Sequence, residues 1–136
     1  MEEEFFHSLT ADYSPLSGGG IFGKEGPLQP TRRFWNLKQL SSTPKDLRYM
    51  QVDCDRSNIT CAALGNNTDG TYAIHIVNNG AARKVNLAGL PGKLKSFRIY
   101  TTDKNHSMEK GELVKVINGK AVFNLDPVSY TTLMSE

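Results

Sequence analysis

Residues 71–78 (TYAIHIVN) decide the fold class of this chain. Tyr72, Ile74 and Ile76 alternate with Ala73, His75 and Val77, so apolar bulk recurs at every second position. A period of two is typical of a β-strand that buries one face, because successive side chains of a strand point to opposite sides. The stretch therefore predicts a strand, with Tyr72, Ile74 and Ile76 in the core.

The same signature recurs on both sides of this stretch. Strands are predicted at about 48–54, 60–65, 71–78, 83–87, 94–101, 112–117, 120–125 and 128–134. Turn-forming residues separate them, and Asn118-Gly119 is the strongest hairpin signal because this pair favours the turn that joins two antiparallel strands. The predicted core consists of Tyr72, Ile74, Ile76, Phe97, Ile99, Phe123 and Tyr130. Eight short strands without intervening helices predict an all-β fold, an antiparallel β-sandwich over residues 46–136.

Residues 1–45 have a different character. An apolar segment at 5–13 is followed by a loop at 14–30, which contains three consecutive glycines. Thr31 is a good helix cap, and residues 32–40 (RRFWNLKQL) predict a short helix with Phe34, Leu37 and Leu40 on one face. A helix of about ten residues is unstable alone in water. We therefore expect it to pack on the sandwich or on a partner outside this chain.

Composition excludes several function classes. Sixteen Lys and Arg are balanced by fourteen Asp and Glu without a basic block, which argues against a nucleic-acid partner. No stretch approaches the roughly 20 apolar residues that span a bilayer, so no membrane partner is expected. Residues 1–4 (MEEE) lack the basic start of a signal peptide. The cellular location stays open, and an export signal of a secreted or periplasmic parent enzyme would lie upstream.

Cys54 and Cys61 flank a turn-rich stretch. If strands 48–54 and 60–65 form a hairpin, the two thiols can approach each other across it. A disulfide would then stabilise the fold by about 2 kcal/mol in an oxidising compartment. The alternative is two small reduced thiols, and the sequence leaves both open.

No catalytic, cofactor-binding or metal-binding residues are predicted. His75 lies on a strand face as a half-buried or surface polar side chain, and His106 has no acidic partner at ligand spacing. Asp53, Asp55 and Asn58 do not have the spacing of a calcium loop. No cofactor is expected.

Three segments carry a resemblance to a known family. They are residues 30–40 (PTRRFWNLKQL) with 42–44 (STP), residues 72–79 (YAIHIVNN) and residues 128–133 (VSYTTL). The first resembles the last barrel helix and hinge of retaining (β/α)₈ glycoside hydrolases, with family 30 and its relatives as the best match. In those enzymes this helix leads into a C-terminal β-sandwich, which the other two segments resemble.

The resemblance implies a domain boundary and a function. Residues 1–45 would be the remnant of the barrel's C-terminal end, and residues 46–136 the sandwich domain. The two catalytic carboxylates of a retaining glycosidase, about 5 Å apart, would lie upstream of residue 1. Asp12 and Glu25 do not replace them. The chain is then a non-catalytic accessory domain that packs on a glycosidase barrel and stabilises it.

Three other hypotheses remain from the residues. A carbohydrate-binding module would present exposed aromatic side chains, for which the candidates are Tyr49, Tyr72, Tyr100 and Tyr130. Strand alternation predicts instead that these tyrosines are in the core. A small autonomous enzyme is disfavoured because no nucleophile and base are paired. Self-association through the apolar residues of 1–45 is expected when the barrel is absent.

Overall fold

A computed structural model describes residues 16–17, 29–30 and 32–136. The helix α1 spans Arg32–Ser41. The strands are β1 (Leu16–Ser17), β2 (Gln29–Pro30), β3 (Arg48–Met50), β4 (Ile59–Asn66), β5 (Thr71–Asn78), β6 (Arg83–Leu87), β7 (Ser96–Thr102), β8 (Glu109–Lys115), β9 (Ala121–Leu125) and β10 (Ser129–Ser135). No helix in the described part of the chain has the length and apolar character needed to cross a membrane.

Two antiparallel sheets form the body of the molecule. The larger sheet has the order β3-β4-β5-β10-β7-β8, and β6 pairs with β9 in a two-stranded sheet. This arrangement confirms the predicted all-β class, and each of the eight strands lies close to its predicted position. Strand β10 pairs with both β5 and β7, so the closing strand occupies the middle of the large sheet.

The core lies between the two sheets. Buried apolar side chains from the inner face of the large sheet meet those of β9. They are Tyr72, Ile74, Ile76, Leu94, Phe97, Ile99, Val114, Ala121, Phe123, Leu125 and Leu133. Six of the seven predicted core residues are among them. Burial of each such large side chain contributes about 1.5–3 kcal/mol, which explains why alternation was a reliable guide.

Three tyrosines depart from the predicted core. Tyr100 is half-buried and pairs with Thr132 on the outer face of the large sheet. Tyr130 is half-buried on the outer face of the large sheet, because the register places it opposite Val77 and not opposite Ile76. Tyr49 is 71% exposed. It lies on the three-residue edge strand β3 and points to the outer face, whereas its neighbour Met50 packs on the core. The prediction of core burial is therefore wrong for all three.

The Asn118-Gly119 turn forms, but it does not join two neighbouring strands of one sheet. Both residues have positive φ, 53° and 73°. Ile117 and Lys120 exchange backbone hydrogen bonds across the turn. Strand β8 then continues in the large sheet and β9 in the small one. The hairpin prediction was wrong beyond this single bridge, because burying both strands' apolar faces requires the chain to cross between the layers.

The N-terminal elements are short. Within the predicted loop at 14–30, β1 and β2 form a two-residue antiparallel pair. The apolar segment at 5–13 lies outside the described residues, as do His7, Asp12 and Glu25. Helix α1 packs over β7 and β10, on the side of the large sheet away from the core.

Candidate functional site

The outer face of the large sheet carries helix α1 and is the candidate functional surface. Strand alternation places Ala73, His75 and Val77 of β5 on this face. The register puts Thr132 beside His75, and Tyr100 on the other side of Thr132. We call this sheet surface together with α1 the helix-bearing face.

Gln39 attaches the helix to the sheet. Its side chain is fully buried. The amide nitrogen donates to Thr132 Oγ1 at 2.8 Å and to the backbone oxygens of Tyr100 and Tyr130 at 3.2 Å. The amide oxygen accepts from Thr102 Oγ1 at 2.7 Å. Every polar atom of the side chain is thus satisfied by two neighbouring strands, which makes its burial favourable.

His75 extends this network to the end of the helix. Its side chain lies among hydroxyl groups: Nε2 is 2.8 Å from Thr43 Oγ1, and Nδ1 is 2.9 Å from Thr132 Oγ1 and 2.8 Å from Tyr130 Oη. Thr43 donates its single hydroxyl proton to the Leu40 carbonyl at 2.6 Å. Nε2 must therefore carry the proton that is shared with Thr43, and Nδ1 accepts.

Burial sets the protonation of this network. His75 is 6% exposed, and burial lowers the pKa of its imidazole below the usual 6.5. Burial raises the pKa of the Tyr130 hydroxyl, although its hydrogen bond with Thr132 opposes the rise. Both groups are neutral at pH 7 and have no charged partner in this network. The cluster is suited to holding the helix in place.

The helix-bearing face also exposes most of the large apolar side chains that remain in solvent. Among the described residues, eight large hydrophobic side chains are exposed. Five of them belong to this face: Leu37, Leu40, Tyr49, Val77 and Leu113. The helix therefore does pack on the sandwich, but it does so through Gln39. Its predicted apolar side, represented by Leu37 and Leu40, points outward.

A second cluster lies in the turns at one end of the sandwich. Asp103, His106 and Asp126 bring a ligand atom each within 4.8 Å of one another. Asp103 Oδ1 accepts from His106 Nδ1 at 2.7 Å. The sequence prediction that His106 lacks an acidic partner was therefore wrong, because Asp103 shares its turn and Asp126 comes from the turn before β10.

The charges of this cluster do not suit acid–base catalysis. Burial tends to raise the pKa of Asp103, but hydrogen bonds from Asn105 and His106 outweigh it, so the pKa is lowered. The hydrogen bond to Asp103 raises the pKa of His106. A glycosidase general acid needs a raised carboxyl pKa. The predicted absence of a metal at 53–58 stays a prediction, and Asp53 and Asp55 are both exposed there.

Solved structures share this fold. A family 30 endoxylanase from Clostridium papyrosolvens C71 matches 79% of this chain with a TM-score of 0.71 and 22% identity. A family 30 subfamily 8 xylanase from Clostridium acetobutylicum matches with a TM-score of 0.72 and 15% identity. The catalytic domain of a family 30 xylanase C from Talaromyces cellulolyticus matches with a TM-score of 0.69 and 19% identity. No family model matches the sequence, and neither does any curated protein.

The matched portion is the C-terminal domain of these enzymes. This chain has the fold of the C-terminal β-sandwich of a family 30-like glycoside hydrolase. The match covers only 28%, 28% and 25% of the three enzymes' own lengths. The predicted resemblance is confirmed at the level of fold, and the activity of the whole enzymes belongs to the proposals below.

Sequence reasoning missed Gln39, the residue that fixes the helix. Trp35, its neighbour at i−4, lies on the same side of the helix. A polar residue within an amphipathic helix is normally assigned to solvent. The only available signal was that two predicted strands carry threonines, Thr102 and Thr132, whose hydroxyl groups can bond to a buried amide.

Proposed function

We propose that this chain is a non-catalytic accessory domain that docks on a glycosidase barrel through the helix-bearing face. The observation that carries the proposal is the concentration of exposed Leu37, Leu40, Tyr49, Val77 and Leu113 on that one face. Apolar side chains that are exposed to solvent gain free energy when a partner covers them. The fold shared with family 30 xylanases supplies the class of partner.

The internal attachment of the helix supports this docking role. Gln39 and His75 fix α1 on the sheet by hydrogen bonds, so Leu37 and Leu40 are held at the surface of a rigid element. A preorganised surface loses little conformational entropy when it binds. We propose that residues 1–45 are the end of that barrel, with the boundary to the sandwich at 45–46.

We propose in addition that the chain has no glycosidase activity of its own. Among the described residues, Asp103 and Asp126 form the close carboxylate pair, and the Asp103 side chain is 7% exposed and held by hydrogen bonds. The lowered pKa of Asp103 does not suit it to protonate a leaving group. The catalytic carboxylates would come from the barrel.

A domain exchange tests the docking role. The sandwich of a family 30 xylanase is replaced by this chain, and the half-life of xylanase activity on heating is compared with that of the barrel alone. We expect the chimera to survive longer, and to lose the gain when Leu37 and Leu40 are changed to Lys. Val122→Lys, on the exposed face of β9, is the matched control. Equal half-lives of the chimera and the Leu37→Lys/Leu40→Lys variant would refute docking through this face.

A second candidate function is carbohydrate binding at Tyr49. Its exposed ring lies beside an open groove that is lined by Asp46, Arg48, Asn66 and Asn67. A flat aromatic ring flanked by amide and charged groups suits a sugar ring, whose faces are apolar and whose edge is polar. Titration calorimetry with xylo-oligosaccharides tests this, with Tyr49→Ala as the variant. Heat that is equal for the two proteins, or absent from both, would exclude this site.

A further inference from the structure

The two cysteines lie together on the side of the large sheet that faces away from α1. Cys61 is in β4 and pairs with Ile76, so its side chain belongs to the inner face and packs against the core. Cys54 lies in the loop 51–58, which connects β3 to β4, and is exposed. Both line an open groove between this loop and β6.

The hairpin geometry explains how they meet. The ladder of β3 and β4 ends at Met50 and Ala63. The loop then turns back over the inner face, with Cys54 Sγ at 3.7 Å from the Arg56 carbonyl. Beside the larger effect of burial, the neighbouring Cys54 contributes to the raised pKa of the Cys61 thiol. Both are reduced in this structure.

We propose that Cys54 and Cys61 are a thiol pair that closes to an intramolecular disulfide under oxidising conditions and fixes loop 51–58 against β4. The loop forms one wall of the groove, whose other walls include Ile74, Arg83 and Val85. Closing the bond ties the connecting loop to β4, the strand beside the edge strand β3. The modification is independent of the helix-bearing face, because it lies on the opposite side of the sheet.

The chemistry is a thiol–disulfide exchange with a small disulfide such as oxidised glutathione. The exposed Cys54 thiolate attacks one glutathione sulfur, the glutathione S–S bond breaks, and one glutathione thiolate leaves. The Cys61 thiolate then attacks the Cys54 sulfur of the mixed disulfide and releases the second glutathione. Two thiol protons are released, the two departing thiolates take up protons, and two electrons have passed to glutathione.

The second step needs the Cys61 thiolate. Burial, and then the neighbouring Cys54 thiol, raise the pKa of Cys61 to about 11, so its thiolate is scarce at pH 7. Closure should therefore accelerate by about tenfold for each pH unit between 7 and 9, as the thiolate fraction grows. A pair of merely buried, unreactive thiols would not show this dependence.

Peptide mapping tests the proposal directly, because Arg56 lies between the two cysteines. The full chain is equilibrated with oxidised glutathione, free thiols are blocked, and trypsin is added to cut after Arg48, Arg56 and Arg83. We expect peptides 49–56 and 57–83 to stay joined until a reductant is added. Cys61→Ser should instead accumulate glutathione on Cys54 without a joined peptide.

Two outcomes would overturn the proposal. Peptides 49–56 and 57–83 that separate after oxidation, each with glutathione or the blocking group, would show that the thiols do not reach each other. Joined peptides found only in covalent dimers would assign the bond to two different chains. Hydrogen exchange of residues 51–58 gives the second measurement, because closure must slow it relative to the reduced chain.

Discussion

At the residue scale, Gln39 and His75 explain how a short helix is retained on a β-sandwich. A ten-residue helix gains little from its own backbone. Gln39 compensates by satisfying Thr102, Thr132 and two backbone carbonyls at once. Hydrogen bonds of this kind are worth little when they are formed but are expensive when one partner is removed.

Replacing Gln39 therefore gives the first prediction. Gln39→Ala leaves buried hydroxyl and carbonyl groups without partners, at about 1–3 kcal/mol for each unsatisfied group. We expect the free energy of unfolding to fall by at least about 2 kcal/mol in urea titrations. Leu37→Ala, on the same helix and 43% exposed, should change it by less than about 0.5 kcal/mol. Similar losses in both variants would contradict the anchoring role of Gln39.

The second prediction concerns the pH dependence of stability. The pKa of His75 is lower in the folded protein than the usual 6.5 of the unfolded chain. The unfolded state thus binds the proton first as pH falls. Stability is complete above pH 6.5 and is lost below it, with a slope of at most about 1.4 kcal/mol per pH unit from this residue.

His106 has the opposite effect on the pH dependence of stability. Asp103 raises its pKa in the folded protein, so its contribution to folding stability is lost as pH rises above 6.5. The measurement is therefore a comparison of urea unfolding between pH 5 and 7.5 for the native chain, His75→Gln and His106→Asn. We expect His75→Gln alone to flatten the loss of stability below pH 6.5. An unchanged slope in that variant would show that His75 does not titrate in the fold.

At the scale of elements, alternation predicted the strands, and turn chemistry predicted where they end. The pattern of β5 is correct residue by residue, because its inner face is buried and its register is fixed by both neighbours. Which strands pair depends on how the layers close. The Asn118-Gly119 turn is correct locally, yet the strands it joins lie in different sheets.

The hydrogen bonds that Gln39 makes with the sheet could not be predicted from the sequence for a related reason. The partners of Gln39 are 61 to 93 residues away in sequence. No local pattern reports on such contacts. The same holds for Asp126, which meets Asp103 and His106 from a different turn.

The third prediction tests the turn at the crossing between sheets. Gly119 has φ of 73°, and a Cβ at this position would approach Leu90 O to 3.1 Å. We expect Gly119→Ala to lower the free energy of unfolding by about 1–2 kcal/mol, because L-residues are strained in this conformation. Gly92→Ala is the control, since nothing lies near its Cβ position. Equal stability of the two variants in urea would show that the turn is not strained.

At the scale of the whole molecule, the sandwich has one face with two distinct roles. Its hydrogen bonds hold α1, and its exposed Leu37, Leu40, Tyr49, Val77 and Leu113 are available to a partner. The opposite side of the large sheet contains the core and the cysteine pair. We propose that this separation lets the chain act as a rigid block that covers part of another domain.

The fourth prediction concerns the isolated chain. Without a barrel, burial of its exposed leucines is favourable at roughly 25 cal/mol per Å² of apolar area. We expect concentration-dependent self-association in light scattering, abolished by Leu37→Lys/Leu40→Lys, which keeps good helix formers and adds charge. A native chain that stays monomeric, or a variant that associates equally, would exclude this face as the adhesive surface.

The fifth and central prediction is that a glycosidase barrel covers the helix-bearing face. The measurement is amide hydrogen exchange of this chain, alone and with a family 30 xylanase barrel that lacks its own sandwich. We expect exchange to slow in Arg32–Ser41 and in Thr71–Asn78, whose Val77 is exposed on the same face, and to stay unchanged in Ala121–Leu125 on the far side. No slowing at α1, or slowing confined to Ala121–Leu125, would contradict the account.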